Sequence, residues 1–211
     1  MTLATAIKKL TPDEALAFID EGGAYVDLRK VPEYLDVHIP GSLSLQYEFG
    51  PGLPGRARDC VPLHVPLVLL EEDGVDAEEV VAALRGKGFA VQGVLEGGIQ
   101  AWGNAHGAPA STDVVEGDAS PEGTILNVND PGAVAPEGAL QISIESLWRE
   151  AGKIPLDRPV VIVAGHGLRA ALAVGILERA GLDELSFWWR MRTPARPKDV
   201  KRRSFLHPFS D

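Results

Sequence analysis

Residues Ala164-Gly165-His166-Gly167-Leu168-Arg169 have the make-up of a turn that can hold an anion. Two glycines let the backbone curl. Successive amide N–H groups can then point inward where a helix begins, and the helix dipole adds to their attraction for negative charge. Arg169 can supply a cation or hydrogen-bond the loop closed. The same spacing also suits a plain tight turn without a ligand, and His166 suits either an anion contact or an exposed filler.

Other reactive side chains are sparse. Cys60 is the only cysteine, set in Arg58-Asp59-Cys60-Val61-Pro62 before a strand expected from about Pro66. Ligands of open α/β sheets bind at the carboxyl ends of strands, so Cys60 lies at the wrong end, and a loop or part-buried thiol is expected. One cysteine excludes an intrachain disulfide framework and a Cys-rich zinc or iron–sulfur site. His38, His64, His106, His166 and His207 are scattered with no partner at ligand spacing, so neither a metal nor another cofactor is expected. Trp148, Trp188 and Trp189 are read as core and domain-interface residues rather than a base-stacking platform.

The elements that must position these residues emerge when the chain is compared with itself. A shift of 93 places Pro66-Leu-Val-Leu-Leu70 on Pro159-Val-Val-Ile-Val163, Gly74 on Gly167, Ala77 on Ala170, and Gly88-Phe89 on Gly181-Leu182, without a gap. Upstream, Tyr25-Val-Asp-Leu-Arg29 falls near Ile125-Leu-Asn-Val-Asn129, and Gly41-Ser-Leu43 near Gly138-Ala-Leu140. A repeat this long means two related domains. Thr11-Pro12-Asp13-Glu14 reads as a helix start, with Thr11 as cap and Glu14 three residues on. Leu67 to Leu70 and Val160 to Val163 are continuous apolar runs of the kind found in strands covered on both faces. A helix from about Arg169 to Ala180 follows the second run, with Leu172, Ala173, Ile176, Leu177 and Ala180 on its buried face and Gly181 at its end. Strand–turn–helix units of this kind give an α/β fold with a mainly parallel sheet.

The expected organisation is a first domain over 1–105, a polar linker over 106–123, a second domain over 124–190 and a basic tail over 191–211. The 211 residues, 45% apolar and 24% charged, suit an ordinary globular protein of this plan. Lys and Arg number 20 against 30 Asp and Glu, a net charge of −10, which argues against nucleic acid as the partner. Arg190 to Arg203 carry a net +6, and this segment is expected to fold back on the acidic body. The longest clean apolar stretches, such as Val160 to Ala164, are about five residues, far short of the ~20 of a transmembrane helix. No apolar core follows Lys8 and Lys9, so no signal peptide is read, and a cytoplasmic setting is expected.

The whole chain resembles a tandem pair of rhodanese domains. In the first copy the resemblance lies in Val26-Asp27-Leu28-Arg29, Glu33-Tyr34 and His38-Ile39-Pro40-Gly41-Ser42, then in Leu95-Glu96-Gly97-Gly98-Ile99-Gln100-Ala101-Trp102. In the second it lies in the turn, through Gly167, Arg169 and Ala170. The resemblance implies two rhodanese-like α/β domains and sulfur transfer, in which a cysteine opening the turn takes sulfane sulfur from a donor such as thiosulfate. It also implies a structural, loop-bonding role for His38.

The departures from that pattern bear on function. Ala164 stands at the cysteine position of the second turn, and Glu71 at that of the first, which reads Glu71-Glu72-Asp73-Gly74-Val75-Asp76. A methyl group cannot attack sulfur, and four carboxylates in six residues repel an anion. No catalytic residue is therefore assigned; the expected anion-binding loop is Ala164, Gly165, His166, Gly167, Leu168 and Arg169. The expected function is a non-catalytic binding or regulatory module linked to sulfur metabolism, whose partner is a small sulfur-containing anion or a sulfur-handling protein. The alternative is a sulfurtransferase whose nucleophile at position 164 has been replaced by alanine.

Overall fold

The computed structural model describes residues 7–47, 52–165 and 167–189. The basic segment expected beyond residue 190 lies outside them. The first unit comprises β1 (Lys9–Leu10), α1 (Pro12–Asp20), β2 (Ala24–Asp27), α2 (Val31–Asp36), β3 (Leu43–Ser44), α3 (Gly52–Cys60), β4 (Leu67–Leu70), α4 (Ala77–Gly86), β5 (Val91–Leu95) and α5 (Gly98–His106). The second comprises β6 (Asp113–Glu116), β7 (Thr124–Asn127), β8 (Leu140–Gln141), α6 (Ile144–Glu150), β9 (Val160–Val163), α7 (Gly167–Arg179) and β10 (Leu185–Trp189).

Each unit has a five-stranded sheet, and the strand orders β1-β5-β4-β2-β3 and β6-β10-β9-β7-β8 are the same arrangement used twice. Every pairing within both sheets is parallel. β4 and β9 lie at the centre of their sheets and are buried along their whole length, which is why their sequences are unbroken apolar runs rather than alternating ones.

The local signals act where expected at α1. Thr11 Oγ1 accepts the amide of Glu14 at 3.3 Å, and Glu14 returns a carboxylate oxygen to the Thr11 amide at 3.0 Å. Such a box satisfies two orphan donors, and a capping side chain is worth about 1 kcal/mol.

Two expectations need correction. Residues 106–123, read as a linker, contain β6, which pairs with β10 as the edge strand of the second sheet. That sheet thus begins at Asp113, ahead of the expected boundary at 124. Its sequence, Asp113-Val-Val-Glu116, is short and flanked by polar residues, so it carries little periodicity. Helix α7 also departs from a one-faced amphipathic reading. All eight residues from Ala170 to Leu177 are buried. One side of α7 packs on its own sheet, and the other on α2 and β3 of the first unit.

The two units meet closely there. A Cβ on Gly175 would lie 1.9 Å from the Ser42 carbonyl oxygen. Tyr34, fully buried, donates its hydroxyl to that same carbonyl at 2.7 Å. Deeper along α7, Glu178 accepts from the Gly41 amide at 2.6 Å and from His38 Nε2 at 2.9 Å. The segment His38-Ile-Pro-Gly-Ser42 therefore docks the helix that follows the second turn.

Candidate functional site

The two turns lie at the carboxyl ends of the central strands, where an α/β sheet places its ligands. In the second unit, β9 ends at Val163, Ala164 is partly buried, and α7 starts at Gly167. His166 lies outside the described residues. The Gly165 amide donates to Asn129 Oδ1 at 2.6 Å. Asn129 is itself held, its side-chain NH₂ donating to Asn127 Oδ1 at 2.7 Å, and Asn127 in turn donates to Gln141 Oε1 at 2.8 Å. This chain of neutral amides supports the turn and occupies one of the backbone donors expected to face an anion.

Arg169, on the first turn of α7, gives Nη2 to Asp130 Oδ1 at 2.8 Å and lies 3.7 Å from Glu145 Oε1. Two carboxylates thus share the charge expected to face an anion. Its other terminal nitrogen is buried and has no hydrogen-bond partner among the described residues. The first unit reaches this turn as well, because a Cβ on Gly167 would lie 3.1 Å from Val31 Cγ1 and 3.7 Å from Trp189. An apolar wall from α2 and the indole of β10 therefore flank the start of α7.

The first turn has the same frame and different chemistry. Glu71 accepts the Gly97 amide at 2.8 Å and pairs with the Lys9 ammonium. The Gly97 hydrogen bond, followed by Lys9, holds the Glu71 carboxyl below its ordinary range. Gly98 lies against it at φ +50°, where a Cβ would be 2.4 Å from the Glu71 carbonyl oxygen, which accounts for a glycine at that position. At the far end of the turn, Asp76 caps α4 by accepting the amides of Glu78 and Glu79 at 3.0 and 3.1 Å. The donors that would meet a foreign anion are thus met by carboxylates of the chain. Burial raises the pKa of Glu72, and Arg29 opposes that shift.

The paired residues upstream of each turn have diverged. Arg29 makes a two-pronged contact with the fully buried Asp27, the shortest distance being 2.6 Å, and its Nη2 also donates to the Val37 carbonyl at 2.7 Å. In the second unit Asn127 and Asn129 occupy these places, and Asn129 turns toward Gly165. Sequence reasoning identified the substitutions but not that contact, which joins residues 36 positions apart. Asp130, Glu145 and Gln141 were also missed, since only the folded sheet brings them beside the turn.

Cys60 is a buried residue closing α3, where a loop or part-buried thiol was expected. Burial, first, and then the Glu145 carboxylate push its thiol up to about 12, while the Arg169 guanidinium pulls the other way. The charges of Glu145 and Arg169 reach it because α3 packs on α6 across the unit boundary. Its helix therefore borders the second unit, although the thiol does not stand in either turn. His38 is fully buried; its Nδ1 bonds the Tyr34 carbonyl at 2.9 Å, and its Nε2 reaches Glu178. Trp148 lies under the Arg179 guanidinium at 5.3 Å, Trp188 is buried in the second sheet, and Trp189 is 44% exposed. Among the described residues, no three His, Cys, Asp or Glu side chains are grouped to hold a metal, and no helix is long and apolar enough to cross a membrane.

Comparison with known proteins places residues 11–105 in a match to the rhodanese-like domain family. A thiosulfate sulfurtransferase GlpE of Pseudomonas fluorescens is 31% identical over 105 residues, which span 50% of this chain and 91% of that protein. The protein of the same name from Pseudomonas savastanoi pv. phaseolicola is 29% identical over 98 residues, spanning 46% of this chain and 89% of its own. Among solved structures, Escherichia coli SseA, described as a 3-mercaptopyruvate sulfotransferase, is 17% identical. That match covers 85% of this chain and 96% of SseA, with a TM-score of 0.39.

Proposed function

From the premise that the chain belongs to the rhodanese family, we propose that it is a binding or regulatory module of sulfur handling that does not turn over as a sulfurtransferase. Transfer from thiosulfate requires a thiolate to attack the outer sulfur, forming a persulfide while sulfite leaves with the electron pair. An acceptor such as cyanide then takes that sulfur and regenerates the thiolate. The observation that carries the reading is the content of the two turns. Glu71 stands in one, held by Gly97 and Lys9, and Ala164 stands in the other, next to an amide committed to Asn129.

Cys60 does not fill the gap. Reaction needs thiolate character and access, and its thiol is buried with a pKa pushed up to about 12. The first turn, with Glu71, Glu72, Asp73 and Asp76, disfavours a small anion. The second, Ala164 to Arg169, is the place where a small sulfur-containing anion, or a side chain of a sulfur-handling partner protein, would be received. No cofactor is required for this role, and a cytoplasmic setting suits it.

The second reading is a sulfurtransferase whose nucleophile at 164 has been replaced. It is favoured by the surviving frame, in which β9, the turn and α7 hold residue 164 at the strand's carboxyl end. The test is thiocyanate production from thiosulfate and cyanide by the chain and by Cys60→Ala. The proposal expects both to match a no-protein blank. Production above the blank that Cys60→Ala abolishes would overturn it.

A further inference from the structure

The contact between His38 and Glu178 fixes a proton count. The Tyr34 carbonyl oxygen lies 2.9 Å from His38 Nδ1 and can only accept, so Nδ1 carries a hydrogen. His38 Nε2 lies 2.9 Å from Glu178 Oε1. A bare ring nitrogen and a bare carboxylate oxygen would set lone pair against lone pair at that distance, so one proton lies between them. It belongs to an imidazolium facing a carboxylate or to a carboxylic acid facing a neutral ring, and the count is the same for the pair. Glu178 Oε2 is taken separately, by the Gly41 amide at 2.6 Å.

The pair joins the two units at one end of α7. The His38 side chain has no exposed surface and stacks on the Tyr34 ring at 4.4 Å, and the Glu178 side chain is only 14% exposed. Water is therefore a poor substitute for either partner. The charged groups around the pair are otherwise engaged or exposed. Arg29, after β2, pairs with Asp27 and donates to the Val37 carbonyl. Arg179, next to Glu178, turns to the Gly22 carbonyl at 3.2 Å and the Trp148 ring. Glu33 and Asp36 of α2 and Asp113 of β6 are exposed, and Ala110 meets His38 through two backbone hydrogen bonds. The elements joined here also meet at the second turn. Val31 opens α2, Gly167 opens α7, and a Cβ on Gly167 would lie 3.1 Å from Val31 Cγ1.

We infer that His38 and Glu178 form a one-proton latch between the units, closed while the pair holds its proton and released when alkaline solution removes it, and that release shifts α7 against Val31 at the second turn. Where α7 lets go, a free imidazole is neutral above about pH 6.5 and a free carboxyl is ionised. Closure therefore takes up one proton above that pH, and the released form gains up to about tenfold per pH unit. α7 carries the effect as a rigid rod, since Glu178 lies roughly 16 Å along the helix from Gly167. The latch does not depend on what the second turn receives or on whether the chain transfers sulfur.

Carbon-13 NMR of the full chain, labelled in histidine and valine and titrated from about pH 6 to 10, tests this. The His38 ring and the Val31 methyl groups should move together in one single-proton step. Glu178→Gln supplies the control. Its amide oxygen can accept from Gly41 and its NH₂ can donate to a neutral His38 ring, so the contact survives without the shared proton. In that variant the Val31 methyl groups should lose the step and keep the shifts of the closed form. A His38 ring that does not titrate in the unaltered chain over this range overturns the inference, whether or not the variant folds. So does a ring that titrates while the Val31 methyl groups stay still, or the same Val31 step in Glu178→Gln.

Discussion

Asn129 Oδ1 accepts the Gly165 amide at 2.6 Å, so a side chain from the end of β7 occupies a donor of the turn that opens α7. Its counterpart in the first unit, Arg29, points instead to Asp27 and the Val37 carbonyl. A change from cation to amide at this one position alters what the neighbouring turn can offer an anion.

Asn129→Ala should therefore strengthen anion binding at the second turn. A hydrogen bond of this kind is worth about 0.5–1.5 kcal/mol net, so a gain of roughly two- to tenfold in sulfate affinity is expected. Amide NMR during a sulfate titration checks it. Gly165 to Arg169 should shift weakly in the unaltered chain and at lower sulfate in the variant, with Gly74 unmoved in both. Equal shifts at the two turns would contradict the account.

Ala164→Cys, on a Cys60→Ala background, should create a reactive thiol. Cysteines at helix N-termini or beside cations can fall to about 3.5–7.5 from roughly 8.5. The fall here should be the smaller kind, because Gly165 already donates to Asn129 and Arg169 already faces Asp130 and Glu145. Alkylation rate against pH gives the thiol pKa, and mass spectrometry after thiosulfate reads persulfide. Slow sulfur loading is expected; a folded variant that neither alkylates near neutral pH nor gains sulfur would remove the sulfur link from the proposed role.

Gly175→Ala should destabilise the protein despite the better helix propensity of alanine. The helix gain is about 1 kcal/mol. The clash wins, because the new Cβ would meet a backbone oxygen at 1.9 Å and so must separate α7 from Ser42. A net loss of about 1–3 kcal/mol is expected. Thermal unfolding checks it, and an unchanged or raised Tm would mean that the units do not pack this tightly.

How much of this was legible in the sequence depended on how far apart the partners lie. The capping box at Thr11 and Glu14 and the central strands β4 and β9 are local, and their residues announce them. α3 was not read, since Gly52-Leu-Pro-Gly-Arg-Ala-Arg-Asp-Cys60 has two glycines and an internal proline and no clear apolar period. The docking of His38 on Glu178 spans 140 positions and leaves no local trace. α7 read as amphipathic because Leu172, Ala173, Ile176 and Leu177 recur helically; the buried opposite side became visible only with the first unit packed against it.

Stability should fall with rising pH in alkaline solution partly through Cys60. Its folded pKa is about 12, against roughly 8.5 for a free thiol. Above the free value the unfolded thiol loses its proton while the folded one keeps it, so the unfolded state binds fewer protons and is favoured. The contribution is complete below about pH 8 and lost as pH rises toward 12. Cys60→Ala should flatten this limb in denaturant titrations from pH 8 to 10; an identical slope in both proteins would show that the thiol is not buried in this way.

The most direct test of the central claim is intact-protein mass spectrometry of the unaltered chain after incubation with thiosulfate, with sulfite removed as it forms. No sulfur atom should be gained, because neither Glu71 nor Ala164 can carry one and Cys60 is buried. A mass increase of one sulfur per chain, reversed by cyanide and mapped to Cys60, would contradict the account.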